Sequence, residues 1–179
     1  MLETLKRLYW DLADKRGRRA IYEYFIRDLP GSFGIMVRRN HYTKQFRSAG
    51  ELLNVLPGSH IINPQNIVCG NSLSVGICNY LQAGGGITFG DNVMLGPYAK
   101  IWTQTHRFES TDVPIKTQGY EYKAVEIGDD VWIGANAFIM PGAQIGSHTI
   151  ISACSVVSAK KYPEGIILSG YPARKIGER

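Results

Sequence analysis

From Ile127 through Ile133, Ile139, Ile145 and Ile151 to Val157, an aliphatic residue recurs at every sixth position without a slip. Neither the 3.6-residue period of a helix nor the two-residue period of a plain strand sustains such a step, whereas short strands joined by tight corners do. The same step runs through Cys69, Val75 and Leu81 and, after an offset of two residues, through Phe89, Leu95 and Ile101, so twelve hexads are visible. Two residues before most of these positions stands another apolar or small residue: Ile67, Leu73, Ile87, Val93, Val125, Val131, Ala137 and Ala143. Each hexad therefore reads inward, outward, inward, then turn, with glycine tolerated where the backbone bends. The pattern predicts an all-β chain wound as a parallel β-helix of triangular section. Strands this short bury little alone, so stability must come from stacking coil on coil.

A chain of 179 residues is long enough for one domain with a real core. It contains no apolar run near the roughly 20 residues needed to span a bilayer. Its start, Met1 to Arg7, lacks an apolar stretch followed by a cleavage site, which predicts a cytoplasmic protein. Cys69, Cys78 and Cys154 form no CxxC pair and read as reduced, small apolar fillers. The excess of positive charge lies at one end: residues 1–50 carry 11 Lys/Arg against 5 Asp/Glu, and the remainder 9 against 10.

Within that basic segment Leu2, Leu5, Leu8 and Leu12, then Ile21, Tyr24 and Phe25, predict one or two amphipathic helices over residues 2–28, stopped by Pro30-Gly31. Beyond the stop, Phe33 to Val37 form an apolar patch edged by Arg38 and Arg39, and the mixture continues through Tyr42, Lys44, Phe46 and Arg47. Two roles suit such a segment. It can cap the open end of the β-helix or pack between subunits, or residues 1–47 can contact an anionic membrane surface peripherally. Nucleic acid is a poorer partner, because the cations follow no reading helix or stacking platform. The organisation expected is a helical segment over residues 1–50 and a β-helix over 51–179, with an extended loop at 103–124 and a C-terminal tail at 159–179.

That loop is where the period breaks. Between Ile101 and Ile127 lie 26 positions where the repeat expects 6. Long loops on rigid scaffolds carry function. His106 sits at its base, where a side chain is well placed, and an imidazole titrating near 6.5 can take a proton from a hydroxyl and return it to a leaving group. His41, His60 and His148 read as surface histidines. Glu109 and Asp112 are the acids nearest His106 in the loop, and a backbone carbonyl is an alternative holder of its ring.

The hexads, the His106 loop, the segment Val131-Trp132-Ile133-Gly134-Ala135-Asn136 and the ending Ser169-Gly170-Tyr171-Pro172-Ala173-Arg174 together resemble the hexapeptide-repeat acyltransferases. Within that superfamily the likeness is to bacterial sugar O-acetyltransferases of surface-polysaccharide biosynthesis, over most of the chain. The resemblance implies a left-handed β-helix, an exception to right-handed crossovers. It implies a homotrimer with acetyl-coenzyme A in the groove between neighbouring coils, and no metal. His106 matches the family's catalytic base. Asn79 resembles an asparagine that contacts the acceptor sugar, and Trp132 a tryptophan lining the acyl and acceptor end of the groove. Ala135, Ala153 and Ser158 match positions touching the pantetheine arm. Pro172 and Arg174 resemble the cofactor-adjacent chain end, where Lys160, Lys161 and Lys175 add cations for the nucleotide phosphates. Ala159 stands where many relatives carry a lysine, with Lys160 one place later.

The resemblance implies transfer of an acetyl group to a sugar hydroxyl of an O-antigen, capsule or exopolysaccharide, at the inner face of the plasma membrane. A small free acceptor, an oligosaccharide or a hydroxyl-bearing antibiotic, is the alternative within the same chemistry. A zinc enzyme on the same scaffold would need three converging histidines, and His60 and His148 lie far from His106 in the chain. A non-catalytic β-helix serving as an assembly module is the remaining rival, and it would not bind coenzyme A.

Overall fold

The computed structural model describes residues 2–179; Met1 and the side chain of Leu2, both within the predicted N-terminal segment, lie outside the described residues. Three helices precede six turns of a left-handed parallel β-helix with three sheet faces. The first face stacks Ser48–Ala49, Ile67–Cys69, Ile87–Phe89, Val125–Ile127, Gln144–Ile145 and Lys161–Tyr162. The second stacks Asn54–Val55, Ser74–Val75, Met94–Leu95, Trp132–Ile133, Ile150–Ile151 and Ile166–Gly170. The third stacks His60–Ile62, Tyr80–Gln82, Lys100–Trp102, Phe138–Ile139 and Val156–Val157.

The hexad residues line the inside. Val55, Val75, Ile133, Ile139, Ile151 and Val157 are fully buried, as are Leu73, Val93, Ala137 and Ala143 two residues before their hexad positions. Each large aliphatic rung contributes about 1.5–3 kcal/mol by leaving water. The helix holds more coils than the twelve hexads indicated. Ala49, Val55 and Ile61 form a first coil below Cys69, so the winding starts at Ser48. At the other end, Lys161–Tyr162 and Ile166–Gly170 continue the first and second faces, and Ala173–Glu178 folds back antiparallel over the last strand. Part of the predicted tail is thus coil, and the rest covers a sheet edge that would otherwise expose unpaired backbone groups.

The two-residue offset has a structural cause. In register, Ala49, Cys69 and Phe89 lie 20 residues apart, whereas Ile127 and Ile145 lie 18 apart. The extra pair sits each time at the corner from the third face to the first, at Asn63–Asn66 and Ala83–Gly86, and the long loop leaves from that same corner one coil further on. Elsewhere, among the described residues, the corners hold nine non-glycine residues at positive φ, among them Asn92, Asp130, Asn136 and Cys154, and none is β-branched. Cys154 is exposed at such a corner, so it is not a filler as predicted; Cys69 is buried, and burial pushes its thiol pKa up.

Glycines follow the first face at 50, 70, 90, 128 and 146 for another reason. A Cβ on Gly90 would lie 2.7 Å from the Gly128 carbonyl carbon and overlap the Asp129 carboxylate. The contact is tight because corner side chains bond the coil below. Asn71 accepts from the Glu51 amide (2.9 Å), Asp91 from Asn71 (2.6 Å), Asp129 from Asp91 (2.8 Å) and Ser147 Oγ from Asp129 (3.0 Å).

The N-terminal segment is helical further than predicted. Helix α1 spans Leu2–Ala13, α2 spans Lys15–Arg27 and α3 spans Gly31–Gln45. Asp14 caps α2 by accepting from the Arg16 and Gly17 amides at 2.8 and 3.0 Å, and those bonds hold its carboxyl below the usual range. Arg18 donates to the last carbonyls of α1. Pro30-Gly31 follows the end of the predicted helical stretch, since α2 stops at Arg27 with Asp28 as its C-cap, and it also starts α3, because proline's fixed φ is tolerated at a helix entry. The patch read from Phe33 is therefore helical as far as Gln45, and Arg38 and Tyr42 on its inner face, with the C-cap residue Phe46, are buried against the first coil. Burial pushes the Tyr42 phenol pKa up. Arg38 donates from Nε to the Val55 carbonyl (2.8 Å) and from Nη1 to Ile26 (2.9 Å) and Leu29 (2.8 Å), joining α2, α3 and the sheet edge.

Helix α3 thus caps the open end. Helix α1 packs chiefly on α2. It leaves Leu5, Leu8, Tyr9, Trp10 and Leu12 about half exposed or more. Among the described residues, no helix is long and apolar enough to cross a membrane.

Candidate active site

The long loop is an ordered arm. Gln104–His106 and Tyr120–Tyr122 form an antiparallel pair in which His106 lies opposite Tyr120, and a short 3-10 turn at Ile115–Thr117 shapes the tip. Its base is locked to the coil beneath. Buried Thr103 donates from Oγ1 to the Gln82 carbonyl (2.6 Å) and accepts from the Gly85 amide (2.8 Å). The buried Gln82 side chain accepts from the Gly84 amide (2.9 Å) and donates to Gln104 (2.6 Å). Gly84 and Gly85 are required here, since a Cβ on Gly84 would press on the Tyr122 ring and one on Gly85 on the Thr103 carbonyl. Neither residue of this lock nor Tyr120 was singled out from the sequence. The alternation of Gln104-Thr105-His106 and Tyr120-Glu121-Tyr122 was the available signal.

His106 projects from this arm into solvent, its ring packed on Tyr120 at 4.4 Å between centroids and 38° between planes. Its imidazole has no hydrogen-bond partner among the described residues. Glu109 accepts instead from the Phe108 amide (3.1 Å), and the Asp112 amide donates to Ser110 (3.2 Å). Aromatic packing on a paired strand, rather than a carboxylate, orients the ring.

Trp132 is half exposed on the second face between Met94 and Ile150. In a triangular prism the second face lies opposite the corner from which the His106 arm rises, so one chain does not bring Trp132 and His106 together. Asn79 is corrected by its placement. It is fully buried at the corner between the second and third faces, with Nδ2 donating to the Gly96 carbonyl at 2.7 Å and Oδ1 unpartnered. An amide sealed inside the corner does not face an acceptor; it braces the wall.

Ala135 and Ala153 stack one above the other at that same corner, with the Cys154 amide donating to the Ala135 carbonyl at 2.8 Å. Among the described residues neither the Ala135 nor the Ala153 N–H has a partner in the chain. Pro172 is exposed in the turn of the terminal hairpin, which the Gly170 amide ties to Ser155 of this corner (3.2 Å), and Arg174 is exposed on its return strand. Ser158 and Lys160 lie across the third face, on the edge from which the arm rises. The Ser158 amide donates to the Tyr162 hydroxyl (3.0 Å), and the Lys160 ammonium lies 5.0 Å from the Tyr162 ring centre. Among the described residues, no three His, Cys, Asp or Glu side chains are grouped to hold a metal ion.

Comparison with known proteins places this geometry. Residues 124–159 match the family model described as bacterial transferase hexapeptide (six repeats). A Saccharomyces cerevisiae protein with an inferred acetyltransferase activity is 36% identical over 140 residues, which cover 72% of this chain and 69% of that protein. The chain belongs to the hexapeptide-repeat acyltransferases. Among solved structures, a maltose O-acetyltransferase from Clostridium difficile superposes with a TM-score of 0.79 at 26% identity, covering 94% of this chain and 88% of that one. A Vibrio cholerae hexapeptide-repeat acetyltransferase complexed with acetyl coenzyme A has a TM-score of 0.77 at 26% identity, covering 98% and 88%. This member of the family is accordingly an acyltransferase.

Proposed function

We propose that this acyltransferase moves an acetyl group from acetyl-coenzyme A to a sugar hydroxyl, with His106 as the general base. The observation that carries the reading is the arm itself, which holds an exposed imidazole in fixed register on a locked base. His106 accepts the hydroxyl proton as the sugar oxygen bonds to the thioester carbonyl carbon, and returns it to the sulfur as the carbon–sulfur bond breaks. No covalent enzyme intermediate is needed. The free Ala135 and Ala153 amide N–H groups, stacked one coil apart, suit the carbonyl groups of a pantetheine arm lying along the corner. Pro172 and Arg174 stand beside that corner for the nucleotide and its phosphates, whereas Ser158 and Lys160 lie beyond the third face, where Lys160 supplies a further cation.

Because His106 and Trp132 lie on opposite sides of the prism, the site is completed between copies of the chain. A homotrimer, with each arm reaching the second face of a neighbour, fits three sheet faces. The acceptor proposed is a surface-polysaccharide sugar at the cytoplasmic face of the plasma membrane, which the exposed apolar side chains of α1 and its flanking cations would contact. A small free acceptor is the second reading, favoured by the likeness to a maltose O-acetyltransferase.

Calorimetric titration with acetyl-coenzyme A, with molar mass by light scattering on the same sample, tests cofactor and assembly together. Binding of one molecule per chain on a trimer is expected; an intact trimer that binds none would support an assembly module instead. His106→Ala should lower turnover by about 100-fold or more with coenzyme A affinity retained, and undiminished turnover would remove His106 from the mechanism.

A further inference from the structure

A concavity of about 470 Å3 opens beside the corner at Asn63–Asn66, lined by Lys15, Arg16 and Arg19 of α2, Gln45 at the end of α3, and Asn63 and Gln65 of the first coil. Three elements distant in sequence converge there, and every lining side chain is cationic or carries an amide. Among the described residues the side chains of Lys15 and Arg16 make no ion pair or hydrogen bond. Arg19 lies 3.6 Å from Glu23, whose carboxylate is shared with His41 at 3.0 Å. Asp14, the acid nearest in sequence to the two free cations, is engaged with the α2 amides. Such a recess attracts a compact polyanion rather than an uncharged sugar.

Its place in the fold gives that anion a purpose. The concavity and the His106 arm share one edge of the prism, two coils apart, or about 10 Å at the usual strand spacing. The intervening corners are rigidly joined. Asn66 Nδ2 donates to the Ala83 and Gly84 carbonyls at 3.1 and 3.2 Å, and the next corner is bonded to the arm through Gln82 and Thr103. That separation suits a pyranose ring carrying a diphosphate.

We infer that Lys15, Arg16 and Arg19, with the amides of Gln45, Asn63 and Gln65, hold the diphosphate of a glycosyl-diphosphate acceptor while its sugar extends along the edge to His106. The anion site stands on its own; the identity of its ligand as the acceptor rests on the acetyl-transfer reading above. The acceptor class is then a sugar still attached to its carrier, not a free sugar. A nucleotide and a polyprenyl lipid present the same diphosphate, and the assay separates them.

The test is titration of the full-length protein with inorganic pyrophosphate, followed by acetylation assays. Those assays compare one sugar offered free, as its nucleoside diphosphate, and as its polyprenyl diphosphate in detergent micelles. Pyrophosphate should bind saturably and more tightly at low salt. The double variant K15A/R16A should weaken it by about 10-fold or more, while the charge-preserving K15R/R16K stays within about threefold of the native protein. In turnover, one of the two diphosphate forms should show a KM about 10-fold below that of the free sugar, and K15A/R16A should abolish the difference. The form with the lower KM names the carrier. Absence of pyrophosphate binding, equal binding by K15A/R16A, or equal KM for free and diphosphate-linked sugar overturns the proposal. So does binding of anionic phosphatidylglycerol vesicles through Lys15 and Arg16 without pyrophosphate affinity. If no sugar is acetylated although pyrophosphate binds as expected, the anion site is supported and the acetyl-transfer reading is what fails.

Discussion

Replacing Arg38 by methionine tests how the helical segment is held to the β-helix. Arg38 is 1% exposed, and burial pulls its guanidinium pKa down from the ordinary arginine value, yet the group bonds only to carbonyls: Val55 through Nε, and Ile26, Arg27 and Leu29 through Nη1. The three Nη1 contacts share one nitrogen, so the interaction counts as two strong charge-assisted bonds, about 1.5–3 kcal/mol each. Against this stand the cost of burying a cation and the unpartnered Nη2. Methionine recovers much of the packing volume but leaves the Val55 carbonyl and the end of α2 without donors. A net loss of about 3 kcal/mol follows. Urea unfolding at matched protein concentration, read by far-ultraviolet circular dichroism and tryptophan fluorescence, should show the midpoint falling by about 1–2 M. Arg38→Lys, with a single compact donor, should recover less than half of the loss. A methionine variant whose midpoint stays within about 0.3 M of the native protein would refute the assignment of Arg38 as the joint.

Gly90→Ala should cost about 1–3 kcal/mol or more, because the added methyl meets the Gly128 carbonyl carbon at 2.7 Å between coils; differential scanning calorimetry reads the fall in Tm, and an unchanged Tm would mean that the coils can separate there. Asn79→Ala should lower stability by about 1–2 kcal/mol through loss of its bond to Gly96, leaving the acceptor KM unaltered; a raised KM at native stability would return Asn79 to the substrate. The Asp130 carboxyl pKa lies below the usual carboxylate range, held there by His148 Nδ1 (3.0 Å) and then Arg179 (2.8 Å). A depressed folded pKa gives stability that is present above the unfolded carboxylate pKa and lost as pH falls through the folded value. Asp130→Asn should therefore flatten the loss of stability below about pH 4, and an unchanged acid limb in pH-dependent melts would show that the pair contributes nothing.

Several features of the site lay in local pattern and others did not. His106 was legible because it follows an interruption in a strict period, and the interruption alone marks a loop on a rigid scaffold. The loop's internal order was not: the pairing of Gln104–His106 with Tyr120–Tyr122 is set by contacts across thirteen intervening residues and by the Gln82 and Thr103 lock on another coil. Asn79 misled because its neighbour Tyr80 faces outward, whereas the asparagine itself occupies a corner position whose side chain points in. The concavity at α2 draws on residues up to 50 positions apart, from Lys15 to Gln65, and no spacing rule connects them. Pro30-Gly31 marks the stop after α2, whereas the helix that follows it is set by the burial of Arg38, Tyr42 and Phe46 against the first coil.

The sequence by itself determined the β-helix, since a six-residue period of inward aliphatics leaves few other ways to bury them, and it marked the place where the coil is interrupted. Tertiary structure decided what that place can do. Stacking put the two-residue insertions at Asn63–Asn66 and Ala83–Gly86 on one edge with the His106 arm, and set Trp132 across the prism from it. The physical reason is that a periodic sequence specifies how far the chain advances at each step, whereas the faces that come together depend on the summed residues per coil, 20 and then 18, and on the hydrogen bonds between coils.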